Sequence, residues 1–146
     1  MGKNKIVENT NTKAAQPEAA ASAKAVSSSK KKVDVGTLYV QSTYNNTMCL
    51  LTDAKGNALA ASSAGALGFK GAKKGTPFAA AKVGEVLGEK AKAMGVKEVV
   101  AVVKGVGSGR ESAIRSFIGK GIGLSRVMDV TPVPHNGPRP PRPRRV

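Results

Sequence analysis

The sequence predicts an α/β protein in which two helices pack against one mixed β-sheet, with the element order βββαβαβ. Short segments rich in β-branched residues alternate with longer segments whose apolar residues recur at helical spacing. The first three strand segments are separated by turn signals rather than by helices. A length of 146 residues suits one such domain with tails and leaves little room for a second core.

The first three strands are predicted at residues 38–44, 48–52 and 58–63. A polar connection, Asn45-Asn46-Thr47, separates the first two strands. Residues 53–57 predict a hairpin turn before the third strand, because Gly56 and Asn57 accept left-handed dihedrals. The following stretch, residues 65–75, is too rich in glycine for a regular element.

Thr76-Pro77 predicts the beginning of the first helix, with threonine as the N-cap and proline at the first helical position. Gly95 is placed to end this helix in a left-handed cap. The continuous apolar run at residues 99–103 is typical of a strand that is buried on both faces. The remaining pattern predicts a second helix from about residue 110 to 118 and a last strand over residues 124–130.

The charge of the chain points to a polyanionic partner. Its 24 Lys and Arg against 9 Asp and Glu give a net charge of +15 and a pI near 10.3. Basic side chains that face phosphates release condensed counterions, so nucleic acid is the first candidate and an acidic membrane surface the second. A membrane-spanning protein is excluded, since no apolar run approaches the roughly 18 residues needed. With one Cys and one His, neither an internal disulfide nor a Cys-based zinc site is expected.

Composition divides the chain into three parts: a basic, disordered N-terminal extension (residues 1–35), a globular α/β domain (residues 36–130) and an extended basic tail (residues 131–146). The extension lacks the apolar core of a secretory signal, and the first arginine of the chain is Arg110, unlike an organelle transit peptide. A cytoplasmic protein is therefore expected.

The segment from Lys104 to Ser112 joins a buried strand to a helix through a glycine-rich loop. It fails the Walker pattern and the dinucleotide pattern, because Gly109 is followed by Arg110-Glu111. We therefore favour a phosphate site for RNA or DNA over an ordinary strand-to-helix turn, with Arg110 and Arg115 adding charge at the same helix end. No nucleotide cofactor and no small-molecule substrate are expected.

Two further segments predict contacts with phosphates. Lys70, Lys73 and Lys74 stand close together among glycines, where their mutual repulsion favours an anionic partner over a merely solvated loop. The tail alternates Arg and Pro without any acidic residue. A proline-rich ligand of an SH3-type domain is one interpretation, but a rod that follows a phosphate backbone fits better.

Catalysis has little support in this sequence. His135 stands alone in the proline-rich tail, where stacking on RNA or hydrogen bonding to it is favoured over a role as a base. Glu85 and Glu89 share a helix face that is typical of a solvated surface, and Asp53 is interpreted as a turn residue. Cys49 is predicted to be buried in a strand. Asn136-Gly137 is a labile pair that predicts isoaspartate formation.

Four stretches carry a family resemblance: Tyr44-Asn45-Asn46-Thr47 and residues 68–80, 105–115 and 129–141. They resemble, in order, the universal family of small-subunit ribosomal proteins numbered eleven. The resemblance implies a ribonuclease-H-like fold without nuclease activity, placed on the platform of the small subunit. It also implies bridging of several ribosomal RNA helices near the messenger exit and Shine–Dalgarno region, with small-subunit proteins seven and eighteen as neighbours and messenger RNA close by.

The leading hypothesis is thus a structural, non-enzymatic RNA-binding protein that supports subunit assembly and translation. A metal-dependent nuclease and a basic protein that compacts DNA or coats membranes are the competing classes. The candidate RNA-binding residues are Asn45, Asn46, Thr47, Lys70, Lys73, Lys74, Gly107, Gly109, Arg110, Arg115, His135, Asn136, Gly137, Arg139, Arg142, Arg144 and Arg145.

Overall fold

The computed structural model describes residues 33–143, and over this range the predicted order βββαβαβ is confirmed. The predicted N-terminal extension lies outside the described residues up to residue 32, but its last residues are ordered, since Val33 is buried and Val35 begins β1. The elements are β1 (Val35–Ser42), β2 (Thr47–Asp53), β3 (Ala58–Ser63), a 3-10 helix (Gly71–Gly75), α1 (Pro77–Met94), β4 (Glu98–Lys104), α2 (Arg110–Ile118) and β5 (Gly123–Asp129). The 3-10 helix corrects the prediction that residues 65–75 hold no regular element.

The five strands form one mixed sheet in the order β3-β2-β1-β4-β5. β1, β2 and β3 pair antiparallel in sequence order, while β4 pairs in parallel with both β1 and β5. Gln41 near the end of β1 lies opposite Lys104 at the end of β4. The loops that follow these two strands therefore leave the sheet at the same edge.

The predicted caps of α1 are confirmed. The Thr76 hydroxyl accepts a hydrogen bond from the backbone N–H of Ala79 at 3.3 Å, and Pro77 occupies the first turn. Gly95 ends the helix with a φ of 85°, a left-handed conformation in which glycine carries no steric penalty. This helix packs so closely on α2 that a methyl group at Gly84 would overlap the backbone of Ala113.

Both helices cover one face of the sheet and bury its aliphatic side chains. The largest buried apolar side chains of this core are Phe117, Leu38, Leu51, Leu87, Val40, Val83 and Val99. Each fully buried side chain of this kind contributes about 1.5–3 kcal/mol of transfer free energy. Cys49 lies in the same core, as predicted, and desolvation raises the pKa of its thiol to about 12.

The other face of the sheet carries no helix among residues 33–143, which makes the prediction of a β4 buried on both faces wrong. Val100 and Val102 on this face are only half-buried, whereas Val99 and Val103 beneath the helices are buried. The open face holds an apolar depression of about 770 Å³ next to the exposed side chains of Tyr39 and Met48. In the described range, neither helix is long and apolar enough to cross a membrane.

Candidate nucleic-acid interface

Three loops that the sequence singled out meet at the edge of the sheet where β1 and β4 end. The turn of residues 43–47 follows β1, and the glycine loop of residues 105–109 follows β4. The backbone N–H of Gly107 donates to the carbonyl of Ser42 at 2.9 Å, which holds the glycine loop against the end of β1. The Ser108 hydroxyl donates to the carbonyl of Gly75 at 3.1 Å and so joins the lysine loop of residues 68–76 to the other two.

The turn of residues 43–47 is held by its own hydrogen bonds. The backbone N–H of Thr43 donates to the carbonyl of Asn46 at 2.8 Å, and the Thr43 hydroxyl accepts from the N–H of Asn46 at 3.1 Å. The Asn46 side-chain oxygen in turn accepts from the backbone N–H of Thr47 at 3.0 Å. Asn45 is exposed, and its amide makes no side-chain hydrogen bond in this turn.

The structure contradicts the prediction that the Thr47 side chain contacts RNA, and Thr47 is a structural residue instead. Its side chain is fully buried, and its hydroxyl lies 3.4 Å from that of Ser42. A buried hydroxyl with a polar partner is satisfied within the protein. Thr47 therefore shapes the interface from beneath.

Gly107 and Gly109 are also corrected, because both are buried against the protein rather than turned to a ligand. A methyl group at Gly107 would overlap Ser42 Oγ and the Thr43 carbonyl, and one at Gly109 would lie 2.6 Å from both Ala80 and Thr47. Glycine is required here for the close packing of one loop on another.

The lysine loop presents its three cations to solvent at this end of the molecule. Lys70 and Lys73 are exposed and Lys74 is half-buried, and none of the ion pairs found within residues 33–143 includes them. Phe69 fixes the start of the loop, because its ring packs edge-on against that of Phe78 in α1 at a centroid distance of 6.0 Å. The structure thus places three basic side chains, none of them in an ion pair within residues 33–143, on a loop whose start is held by Phe69.

Asp129 connects the glycine loop, α2 and the tail. Its carboxylate accepts a hydrogen bond from the Arg110 guanidinium and two more from Thr131, from the hydroxyl at 2.6 Å and the backbone N–H at 2.9 Å. These hydrogen bonds, first those of Thr131 and then that of Arg110, lower the pKa of Asp129 to about 2. The Thr131 hydroxyl also accepts from the N–H of Gly105 at 3.2 Å, so the tail leaves β5 in a fixed direction.

The prediction that Arg110 and Arg115 add charge at the same helix end is wrong. Arg110 begins α2, whereas Arg115 lies in its last turn, near Ile118 and Val127. Of these two arginines, only Arg110 lies at the helix N-terminus. Its guanidinium forms an ion pair with Asp129.

The tail continues from Thr131 without a helix or strand up to residue 143. Its predicted contacts His135, Asn136, Gly137, Arg139 and Arg142 are all exposed. Asn136 has a φ of 53°, a left-handed conformation that asparagine adopts more readily than most residues. Arg144 and Arg145 lie outside the described residues.

The competing enzyme class gains no support from the carboxylates of α1. Glu85 pairs with Lys82 at 2.9 Å, and Glu89 pairs with Lys120 at 3.0 Å, so both lie on a solvated face as predicted. A hydrogen bond from Lys82 lowers the pKa of Glu85. No group of three potential metal ligands converges anywhere in the described range.

Comparison with known families supplies the decisive observation. The family model of ribosomal protein S11 matches residues 36–145, which is most of the chain. The match includes the three loops and the described part of the tail. The chain belongs to the ribosomal protein S11 family. As a member of the S11 family, it is a structural protein of the small ribosomal subunit that binds ribosomal RNA and other ribosomal proteins. The S11 match begins at Gly36, within β1, and so covers the helix-covered sheet apart from Val35.

Sequence reasoning missed two residues of this candidate interface. In the sequence Tyr44 stands out only as part of a motif, yet its side chain is 78% exposed in the turn of residues 43–47. Asp129 is one of several scattered carboxylates in the sequence, although it organises Arg110 and Thr131 in the fold. An Asp-x-Thr pattern at the end of a strand was the available signal, since such side chains hydrogen-bond the backbone two residues on.

Proposed function

We propose that this chain binds ribosomal RNA on the platform of the small subunit and bridges several RNA helices near the messenger exit and Shine–Dalgarno region. One observation carries the proposal: the lysine loop, the turn of residues 43–47, the glycine loop and the start of the tail all meet at one edge of the sheet. A compact basic end joined to an extended basic tail suits RNA, which proteins read by shape and by unstacked bases.

The same proposal includes the neighbours of the chain. Small-subunit proteins seven and eighteen are the proposed protein partners, messenger RNA passes nearby, and the cytoplasmic ribosome is the proposed location. The proposed fold is ribonuclease-H-like without nuclease activity. The strand order β3-β2-β1-β4-β5, with β2 antiparallel to β1 and β4 parallel to it, supports this fold.

Site-directed neutralisation of the lysine loop tests the proposal directly. We expect the triple variant Lys70→Gln, Lys73→Gln, Lys74→Gln to bind transcribed small-subunit ribosomal RNA more weakly. Its plot of log affinity against log salt should be flatter, by about 0.7–0.9 for each phosphate that no longer meets a lysine. Lys55→Gln is the matched control, because Lys55 lies in the β2–β3 hairpin at the opposite edge of the sheet.

Two results would contradict the proposal. An unchanged salt dependence in the triple variant would remove the lysine loop from the interface. Equal affinity of the native chain for random duplex DNA and for folded ribosomal RNA would favour a general basic DNA-binding protein instead.

A further inference from the structure

Tyr44 is the most exposed of the large hydrophobic side chains within residues 33–143. Its side chain is 78% accessible, compared with 42% for Tyr39 on the open face of the sheet and 64% for Phe78 at the start of α1. Burial of an aromatic ring is energetically favourable. A ring that is exposed to water can therefore contribute binding free energy when a partner covers it.

The backbone that carries this ring is held from two sides. Tyr44 lies inside the turn whose ends are joined by the hydrogen bonds between Thr43 and Asn46. Its carbonyl oxygen packs directly on Gly75, where any side chain would overlap it. The ring therefore projects from a rigid turn, and a partner need not order that turn on binding.

The surroundings of Tyr44 specify the chemistry of its partner. Lys73 and Lys74 immediately precede Gly75 in the 3-10 helix, and Asn45 follows Tyr44 with an exposed amide. Cations that attract phosphates, an amide that can hydrogen-bond a base edge and a flat aromatic surface are the combination that binds an unstacked nucleotide.

We infer that Tyr44 is a stacking platform for one unpaired base of the bound RNA. The ring covers the face of the base, while the lysine loop neutralises the phosphates on either side of it. Stacking of this kind tolerates any base, because every base has a π-face, so Tyr44 contributes affinity and position rather than sequence selectivity. This inference rests on the proposed function and adds a named contact to it.

Affinity measurements with transcribed small-subunit ribosomal RNA give the first test. Tyr44→Ala should weaken binding by between about 5- and 150-fold, which corresponds to about 1–3 kcal/mol for one stacked base. Tyr44→Phe should retain the native affinity, because the ring is kept. The salt dependence should be unchanged in both variants, since tyrosine contributes no charge, and this distinguishes them from the lysine-loop variant.

A fluorescent reporter gives the second test. The chain contains no tryptophan, so Tyr44→Trp introduces a single indole at the proposed contact. Its emission should be quenched when ribosomal RNA is added, whereas Tyr39→Trp on the open sheet face should show no comparable quenching. RNA binding is followed separately in both variants through the anisotropy of end-labelled RNA.

The outcomes separate this inference from the proposed function. Binding by anisotropy without quenching at position 44, or native affinity in Tyr44→Ala, would overturn the stacking contact and leave RNA binding intact. If the unsubstituted chain, folded by circular dichroism, shows no RNA binding by anisotropy, both the stacking contact and the proposed function are overturned. Loss of affinity in Tyr44→Phe equal to that in Tyr44→Ala would assign the effect to the hydroxyl and likewise reject stacking.

Discussion

Arg110 donates a hydrogen bond to Asp129, and this ion pair joins the beginning of α2 to the end of β5. The same carboxylate holds Thr131 at the start of the tail. Asp129 thus sets the relative position of a helix end and a basic tail while keeping Arg110 in a fixed orientation.

Acid should weaken this connection in a defined pH range. The pKa of Asp129 falls from its ordinary value of 3.8 to about 2 in the folded protein, so the native state binds the proton less tightly than the unfolded state. Its stabilising contribution is therefore fully present above about pH 4 and is lost as pH falls towards 2. Comparing acid unfolding of the native chain and Asp129→Asn by circular dichroism checks this. Equal acid sensitivity in the two proteins would contradict it.

Packing of the glycine loop on β1 should not tolerate a methyl group. Gly107→Ala places its new carbon against Ser42 Oγ and the Thr43 carbonyl, and overpacking of this kind costs about 1–3 kcal/mol. Gly65→Ala is the matched control, because its new carbon would meet only Lys74 Cδ at 3.8 Å. Urea unfolding measures both, and we expect the midpoint to fall only for Gly107→Ala.

The arginines at the end of the tail should contribute affinity without contributing fold stability. Replacing Arg142, Arg144 and Arg145 together with alanine should weaken RNA binding and flatten its salt dependence, because basic side chains release counterions from phosphates. The thermal unfolding midpoint should stay at the native value. An unchanged salt slope would count against contact of the tail with RNA.

Cys49 should be unreactive in the native protein. Burial raises the pKa of its thiol to about 12, so the thiolate, which is the reactive form, is scarce at pH 8. We expect a disulfide reagent such as dithionitrobenzoate to modify the chain only at the rate of unfolding. Rapid stoichiometric modification under native conditions would show that the strand core opens readily.

Isoaspartate should form at Asn136-Gly137 in purified native protein. Both residues are exposed, and glycine does not hinder closure of the succinimide ring. Mass spectrometry of the tail peptide, with proteolysis that distinguishes isoaspartate from aspartate, measures the conversion. Gly137→Ala should slow it, and an unmodified peptide in aged native material would refute the prediction.

The elements that sequence reasoning predicted well are those governed by local chemistry. Thr76 and Gly95 bound α1 because capping depends only on nearby backbone groups. The hairpin before β3 followed from Gly56, whose φ is 88°, although Asn57 does not adopt the expected left-handed conformation. Such signals act within a few residues and can be read from one sequence.

The errors arose where distant segments decide the outcome. The run at residues 99–103 is continuous and apolar, but whether helices cover one face of β4 or both depends on the crossover geometry of α1 and α2. Gly107 and Gly109 looked like ligand-facing glycines, because nothing local reveals that Ser42 and Thr47 lie beneath them. Tyr44 was missed for the same reason, since exposure is a property of the fold.

The close packing of Gly75 on the Tyr44 carbonyl makes the basic end of this protein a preformed surface. A preformed surface binds an RNA of complementary shape, and it contributes little binding free energy to an RNA that is still misfolded. If RNA binds at this end of the chain as proposed, contact there would therefore follow the folding of the RNA rather than precede it. Earlier encounters with RNA would then fall to the basic tail that follows the sheet.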